Sequence, residues 1–411
     1  MSAEAPSRSG PARPPLLPVA DARAALLQRL SPVGVEDVPL PVALGRVLAH
    51  DVVARLTQPP FDAASMDGWA VRSADLAGGP TTLLPIGSVA AGYRFDGTVG
   101  PGQTVRIFTG APLPAGADAV VMQEDVRQSG EAILVPGGIA PGTFVRRAGM
   151  DFAHGVTGLR AGRRLTARDI GLAAAMDHPW LTVRRRPVVA LLPTGDEVVR
   201  PGDPRGPSQI VSANALALAA MVEQAGGCVR QLGIAPDRPE AIAEAARAAR
   251  GADVLVTTGG ASVGAHDFVQ AGLSAEGLEL GFWKVALRPG KPLLVGRLGE
   301  MQVLGLPGNP VSAMVCGILF LLPAIRALLG LPPGPETDSL PLARALPAND
   351  GREEYLRARL VNGAADPFAN QDSAMISVMA AADLLVIRPA HAPAIAAGTP
   401  VPVIWLDRDL R

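Results

Sequence analysis

The stretch FWKVALRPGKP, residues 282–292, contains both lysines of a 411-residue chain that writes every other basic position as arginine. An ammonium is a compact, rotatable point charge, whereas a guanidinium is a flat fork that pairs bidentately. The plain explanation is that arginine is the default cation here and two lysines fell together by chance. The chemical explanation starts from the strand period of two, which puts Lys284, Ala286 and Arg288 on one face; Pro-Gly then turns the chain and presents Lys291. Three converging cations suit an oxyanion or a pyrophosphate, where they would stabilise charge developing on a transferring phosphoryl group.

Three other stretches could share that chemistry. TTGGASVGAHD is a strand followed by a loop with Gly259, Gly260, Ser262 and Gly264, whose backbone N–H groups can turn towards an anion without side-chain obstruction. Asp267, right beside it, would repel such a ligand unless a cation intervened, which points to Mg²⁺ held by Asp267 and phosphate oxygens. LLPTGDEVV places Asp196 and Glu197 just past a strand end, and Asp237 follows another strand. The bland alternatives are a Gly-rich turn that is mere geometry, an acidic helix start for Asp196 and Glu197, and an N-cap for Asp237. In PGNP, Pro307 and Pro310 fix a turn in which Gly308 lets the backbone approach closely beside Asn309, shaping a pocket.

The elements that must position these residues are clearest between 187 and 330. PVVALLPTG, CVRQLGI and DVLVTTGG read as strands, and SANALALAAMVEQAGG, with Ser212 as a candidate N-cap, and RPEAIAEAARAARG read as helices. This alternation predicts a doubly wound α/β domain with its parallel sheet covered on both faces and its ligands at the carboxyl ends of the strands. TGDE, TTGGASVG and LPGNP then share one rim. Earlier in the chain, short apolar runs punctuated by Gly and Pro predict a β domain, inserted into a helical unit built from segments on either side of it. The expected division is a disordered lead over 1–17, a split helical domain over 18–54 and 147–182, an inserted β domain over 55–146, the α/β domain over 183–331, and a small C-terminal β barrel over 332–411.

Bulk properties exclude several functions. A net charge of −1 and a pI near 6.5 argue against nucleic-acid binding, which needs a broad basic surface. Cys228 and Cys316 lie far apart in apolar segments and read as reduced core thiols of a cytoplasmic protein. The five histidines lack zinc-like spacing. The apolar run 311–331 is interrupted by Pro323 and Arg326 and reads as a buried helix, not a membrane span. The Pro- and Ser-rich start has no apolar core of a secretory signal.

SMDGWAV, RIFTGAPLPAGADAVVMQED, LLPTGDEVV, VTTGGASVGAHDF, WKVALRPGKPLLVG and LGLPGNPVSA, in this order, resemble the molybdopterin molybdenumtransferase family, that is, MoeA and the E domain of gephyrin. The likeness runs from about residue 18 to the end. It implies a homodimer that inserts molybdate into the dithiolene of adenylylated molybdopterin with Mg²⁺-dependent loss of AMP, at a site between the α/β domain of one subunit and the inserted domain of the other. Position by position, it implies that Glu197, Asp237 and Asp267 organise metal and phosphate, and that Lys284, Arg288 and Lys291 form the anion pocket. Asp67 in SMDGWAV and Thr109 in RIFTGAP join the site, and Ser373 with Arg357 or Arg352 is the C-terminal contribution to molybdate binding. Other proteins of molybdenum-cofactor synthesis are implied as partners. The alternatives are a molybdopterin adenylyltransferase, which has a similar α/β domain, and a catalytically silent dimeric scaffold of the same fold.

Overall fold

The computed structural model describes residues 16–259 and 268–406. Gly260, Ser262, Gly264 and Asp267 lie outside the described residues. The chain forms two compact units, one of residues 36–183 and one joining the N-terminal segment up to Val35 to residues from Arg184 onward.

The first helix, α1 (Val19–Leu27), buries Val19, Ala22 and Leu26. This stripe belongs with the second unit, where α1 meets the last turns of the long apolar helix described below and the Val33 amide donates to the Leu328 carbonyl at 2.7 Å. The split helical domain is expected to begin at residue 18; the compact unit that holds its two flanking segments begins at Glu36. Leu17 falls within the expected lead. Leu17 bridges Val285, and its carbonyl accepts from the Ala286 amide at 2.8 Å.

Unit 36–183 is built on the predicted short strands: β1 (Gly68–Val71), β2 (Thr81–Val89), β3 (Gln103–Ile107), β4 (Ala119–Met122), β5 (Arg127–Ser129) and β6 (Ala132–Val135). They form one sheet in the order β4-β1-β3-β2-β6-β5. Alternation drives one face of it into a core around Ala70, Val105, Ile107 and Val120. The flanking segments make a separate core from Leu48, Val52, Phe152, Leu165, Met176 and Val183. Helix α2 (Ala167–Ala175) begins where the Thr166 amide and hydroxyl both donate to Asp169, each at 2.8 Å.

In the second unit, β7 (Val188–Pro193), β8 (Cys228–Gln231), β9 (Val254–Thr258), β10 (Glu279–Trp283), β11 (Leu294–Leu298) and β12 (Met301–Leu306) form a six-stranded sheet in the order β8-β7-β9-β12-β11-β10. The first four run parallel, as the alternation predicts. The last two are antiparallel, because Gly299-Glu300 closes a two-residue hairpin between β11 and β12, with Gly299 at φ +62°. Helices α3 (Asn214–Gln224), α4 (Pro239–Ala248), α5 (Phe268–Ala275) and α6 (Pro310–Leu328) complete the domain. Ala213, not Ser212, occupies the N-cap of α3. Helix α6 is long and apolar enough to cross a membrane by length and composition, but 78% of that apolar window is buried inside the protein. Both cysteines are free; Cys316 is buried, but Cys228 is exposed, since it opens the edge strand β8.

The C-terminal strands β13 (Asp338–Pro341), β14 (Glu353–Val361), β15 (Ala364–Pro367), β16 (Leu384–Arg388) and β17 (Pro400–Trp405) make a second sheet, in the order β14-β16-β17-β13 with β15 on the other side of β14. A bridge from Leu342 to Ala365 returns the β13 edge to β15 and closes the small barrel. Its core is Leu342, Ala358, Ala365, Leu384, Val386 and Val403. The two-residue strand Leu287–Arg288 joins this sheet in parallel with β14.

Helices α4 and α5 touch through Gly272, where an added Cβ would lie 2.6 Å from the Pro239 carbonyl oxygen and 2.8 Å from Ile242 Cβ. Gly272→Ala should therefore cost roughly 1–3 kcal/mol of stability through overpacking, read as a lowered urea midpoint. An unchanged midpoint would contradict that close approach.

Candidate functional site

The carboxyl ends of β7, β8, β9 and β12 form the predicted rim. The Thr194 amide donates to the Thr258 carbonyl at 2.9 Å, and the Gly195 amide to the Ala235 carbonyl at 3.2 Å. Gly259, at φ +96°, has room for no side chain: a Cβ there would meet the Thr194 carbonyl at 2.5 Å. A Cβ on Gly308 would lie 3.6 Å from the Gly259 Cα, so the PGNP turn abuts the Gly259 turn. Asn214, which sequence reasoning did not single out, donates from Nδ2 to the Gly308 carbonyl at 2.7 Å. The one sequence signal was an asparagine opening a helix at a rim already marked as functional.

Three carboxylates gather on this rim. The Asp237 amide donates to Asp196 Oδ1 at 3.3 Å, and burial, then the negative charges of Glu197 and Asp196, push the Asp237 carboxyl above its usual range. None of the three forms an ion pair among the described residues. Neither do the described residues contain a group of three or more His, Cys, Asp or Glu side chains set to hold a metal ion. Glu197 and Asp237 are thus brought close enough to feel each other's charge; Asp267, the third predicted ligand, lies outside the described residues.

The cation stretch departs from the single strand face expected of it. Strand β10 ends at Trp283, and Lys284 adopts φ +75°, with its ammonium over the Trp283 ring at 4.8 Å. The hairpin continues through main-chain bonds from Lys284 to Leu293 (3.1 Å) and from Val285 to Lys291 (3.0 Å), which holds Lys284 and Lys291 on adjacent arms. Arg288 instead points to the C-terminal domain, pairing with Glu354 at 3.2 Å and Asp350 at 3.9 Å. It borders a cavity of about 600 Å³ that Arg344, Arg388, Tyr355 and Phe368 also line.

The C-terminal residues separate into two roles. Ser373 docks on the PGNP turn: Asn309 Nδ2 donates to its hydroxyl at 2.8 Å, and the Val311 amide to its carbonyl at 3.0 Å. Arg357 is wholly buried, and burial lowers its pKa. It clamps the segment leading to Ser373, donating to Gln371 Oε1 at 3.1 Å and the Asp372 carbonyl at 2.9 Å. Arg352 is engaged with Asp350 at 2.6 Å.

In unit 36–183, Asp67 and Thr109 meet although 42 residues separate them. The Thr109 amide and hydroxyl both donate to Asp67 Oδ1 at 2.7 Å. These bonds, the hydroxyl's first, hold the Asp67 carboxyl below its usual range, with a smaller contribution from the charge of Arg106. Arg106 and Gln123 complete this cluster, and sequence reasoning gave neither a role.

A parallel α/β sheet with Gly-rich, acid-bearing strand ends, an inserted β domain and a small C-terminal barrel together define a multi-domain α/β plus β protein. Three family models match in order: the MoeA N-terminal region (domains I and II) over 17–176, a probable molybdopterin-binding domain over 190–327, and the MoeA C-terminal region (domain IV) over 339–406. The chain belongs to the molybdopterin molybdenumtransferase (MoeA) family. Among its relatives, a protein of that name from a Nostoc strain is 41% identical over 73% of this chain and 70% of its own. Molybdopterin molybdenumtransferase 2 of Mycobacterium tuberculosis is 36% identical over 89% and 94%. The solved structure of the molybdopterin biosynthesis MoeA protein of a Pyrococcus species superposes with a TM-score of 0.84 at 31% identity, covering 95% of this chain and 99% of that one.

A raised carboxyl pKa means that the folded state binds the proton more tightly than the unfolded chain, so ionised Asp237 opposes folding once pH exceeds the ordinary aspartate range. Asp237→Asn should raise the thermal midpoint at pH 7 by roughly one to three degrees. The gain should shrink as pH falls towards 4. A midpoint equal to or below that of the parent at pH 7 would mean that the three acids do not repel one another.

Proposed function

We propose that this chain inserts molybdate into the dithiolene of adenylylated molybdopterin, with Mg²⁺-dependent loss of AMP, and so yields molybdenum cofactor. The observation that carries this reading is the match, along nearly the full length of both chains, to relatives named for that transfer. The rim of the α/β sheet supports it: the Gly259 and Gly308 turns abut there without side chains, and Asp196, Glu197 and Asp237 concentrate negative charge with no ion pair among the described residues.

Two of these carboxylates, joined by Asp267, would offer oxygen ligands to a hard divalent cation, which dehydrates reluctantly and takes carboxylates together with substrate phosphates. Glu197, Asp237 and Asp267 would hold Mg²⁺, which when bound neutralises phosphate oxygens at the linkage that breaks. The protein's own contribution is to bind and orient. Lys284, Arg288 and Lys291 attract the oxyanion, with Arg288 restrained by Glu354 and Asp350. Ser373 and Asn309 fix the turn that borders the pocket. Thr109 keeps Asp67 ionised and oriented. In this reading the chain works as a cytoplasmic homodimer, the inserted domain of one copy complementing the α/β domain of its partner. Its free thiols suit a reducing compartment.

With adenylylated molybdopterin and Mg²⁺ present, adding molybdate should release AMP, and EDTA should stop the release. Asp267→Asn and Glu197→Gln should each slow it about a hundredfold or more, with the oligomer size unchanged. Consumption of ATP with unmodified molybdopterin, in place of AMP release, would reassign the chain to the adenylylating step.

A further inference from the structure

The inserted domain carries a cation that the reading above leaves without work. Trp69 of β1 lies directly across from Arg106 of β3 and from Val121 of β4. Trp69 and Arg106 therefore share one face of the sheet, while Asp67, Phe108 and Gln123 stand immediately beyond the ends of β1, β3 and β4. The Arg106 guanidinium stands 5.2 Å from the Trp69 ring centroid and 5.4 Å from that of Phe108. Its Nη2 donates to Gln123 Oε1. Gln123 in turn donates from Nε2 to Glu124 at 3.0 Å, and from its amide to the Asp67 carbonyl at 3.1 Å.

This arrangement fixes a positive charge without neutralising it. The Gln123 side-chain amide bridges the guanidinium and Glu124, the charge of Arg106 is the smallest of the influences on the Asp67 carboxyl, and Arg106 forms no ion pair among the described residues. Asp67 itself has one carboxylate oxygen taken up by Thr109. A guanidinium held on aromatic faces keeps its forked donors pre-oriented, and that fork matches phosphate oxygens bidentately. Phe108 is 39% exposed, which leaves a flat apolar surface beside the charge.

We propose that Arg106 is a binding residue for the pyrophosphate linkage of the pterin nucleotide, with Phe108 offering its ring to the attached heterocycle. The proposal rests on the reading of that nucleotide as substrate. Molybdate is the other oxyanion the guanidinium could take. The exposed ring favours the nucleotide, since a bare oxyanion has no use for it.

The test uses the full chain and its Arg106→Gln and Arg106→Lys variants. Binding of adenylylated molybdopterin is measured by equilibrium dialysis without molybdate, and AMP release is followed with both substrates varied. Arg106→Gln should weaken nucleotide binding about tenfold or more, flatten its salt dependence, and raise KM for the nucleotide far more than KM for molybdate. Arg106→Lys should recover part of the affinity. Equal nucleotide affinity in the parent and Arg106→Gln overturns the proposal, whether or not the thermal midpoint moves. A rise confined to the molybdate KM overturns it too and gives the arginine to molybdate. If the parent binds the nucleotide but releases no AMP, the proposed activity fails while the dialysis comparison still decides the role of Arg106.

Discussion

The site depends on how closely the main chain packs at the end of the α/β sheet. At Gly259 a side chain would collide with the Thr194 carbonyl, and at Gly195, φ +136°, it would strike the Glu197 carboxylate at 2.4 Å. Neither turn carries a side chain at its glycine, which lets the chain approach closely there. Asp196 and Glu197, one and two positions past Gly195, supply charge there, and Asp237 adds to it from the segment that follows β8. Gly195 thus couples the two features: the backbone freedom that brings the strand ends together also lets Glu197 fold back beside its own turn.

The chain treats its functional charges in different ways. Asp67 sits among donors, and the cost of keeping it ionised falls because each donated bond favours the anion. Asp237 has the opposite surroundings, with burial and two like charges making ionisation harder. The first arrangement suits a group that must stay negative and oriented; the second stores repulsion that a cation bound there would relieve. Among the cations, Arg288 is restrained by carboxylates and Lys284 lies against an indole. A side chain braced in this way loses less freedom when a ligand arrives.

Much of the layout is legible in the sequence because periodicity reports burial directly. The strand patterns at 188–193 and 254–258 are buried nearly throughout, and they do form the centre of a parallel sheet. The rim followed from that topology alone, with TGDE and PGNP at strand ends. The cation stretch was less legible. A period of two assumes a continuous strand, but the chain leaves its sheet at Lys284 in a left-handed conformation and re-enters a different sheet at Leu287. Nothing local to WKVALR encodes the β14 edge that captures it. The partner of helix α1 was illegible for the same reason, since its apolar stripe fits any apolar groove and the groove belongs to a helix nearly three hundred residues later. Asp67 and Thr109 were reached only through resemblance, because a bond across 42 residues leaves no periodic trace. Arg106 read as ordinary, its stacking being a matter of cross-strand register.

The loop from Lys284 to Leu293 is held from three directions, which bears on why these regions occur in one chain. Its arms continue the β10–β11 hairpin, its strand Leu287–Arg288 is an edge of the C-terminal sheet, and Leu17 pairs with Val285 from the N-terminal side. An α/β module alone would leave Arg288 without Glu354 and Asp350, and the PGNP turn without Ser373. Arg357 reinforces the dependence. Buried in the barrel, it clamps Gln371 and Asp372, and through them fixes the segment whose serine meets Asn309. The geometry of this loop is therefore a property of the α/β domain and the C-terminal barrel together, through the Leu287–Arg288 strand and the ion pairs of Arg288, while the barrel reaches the PGNP turn separately through Ser373.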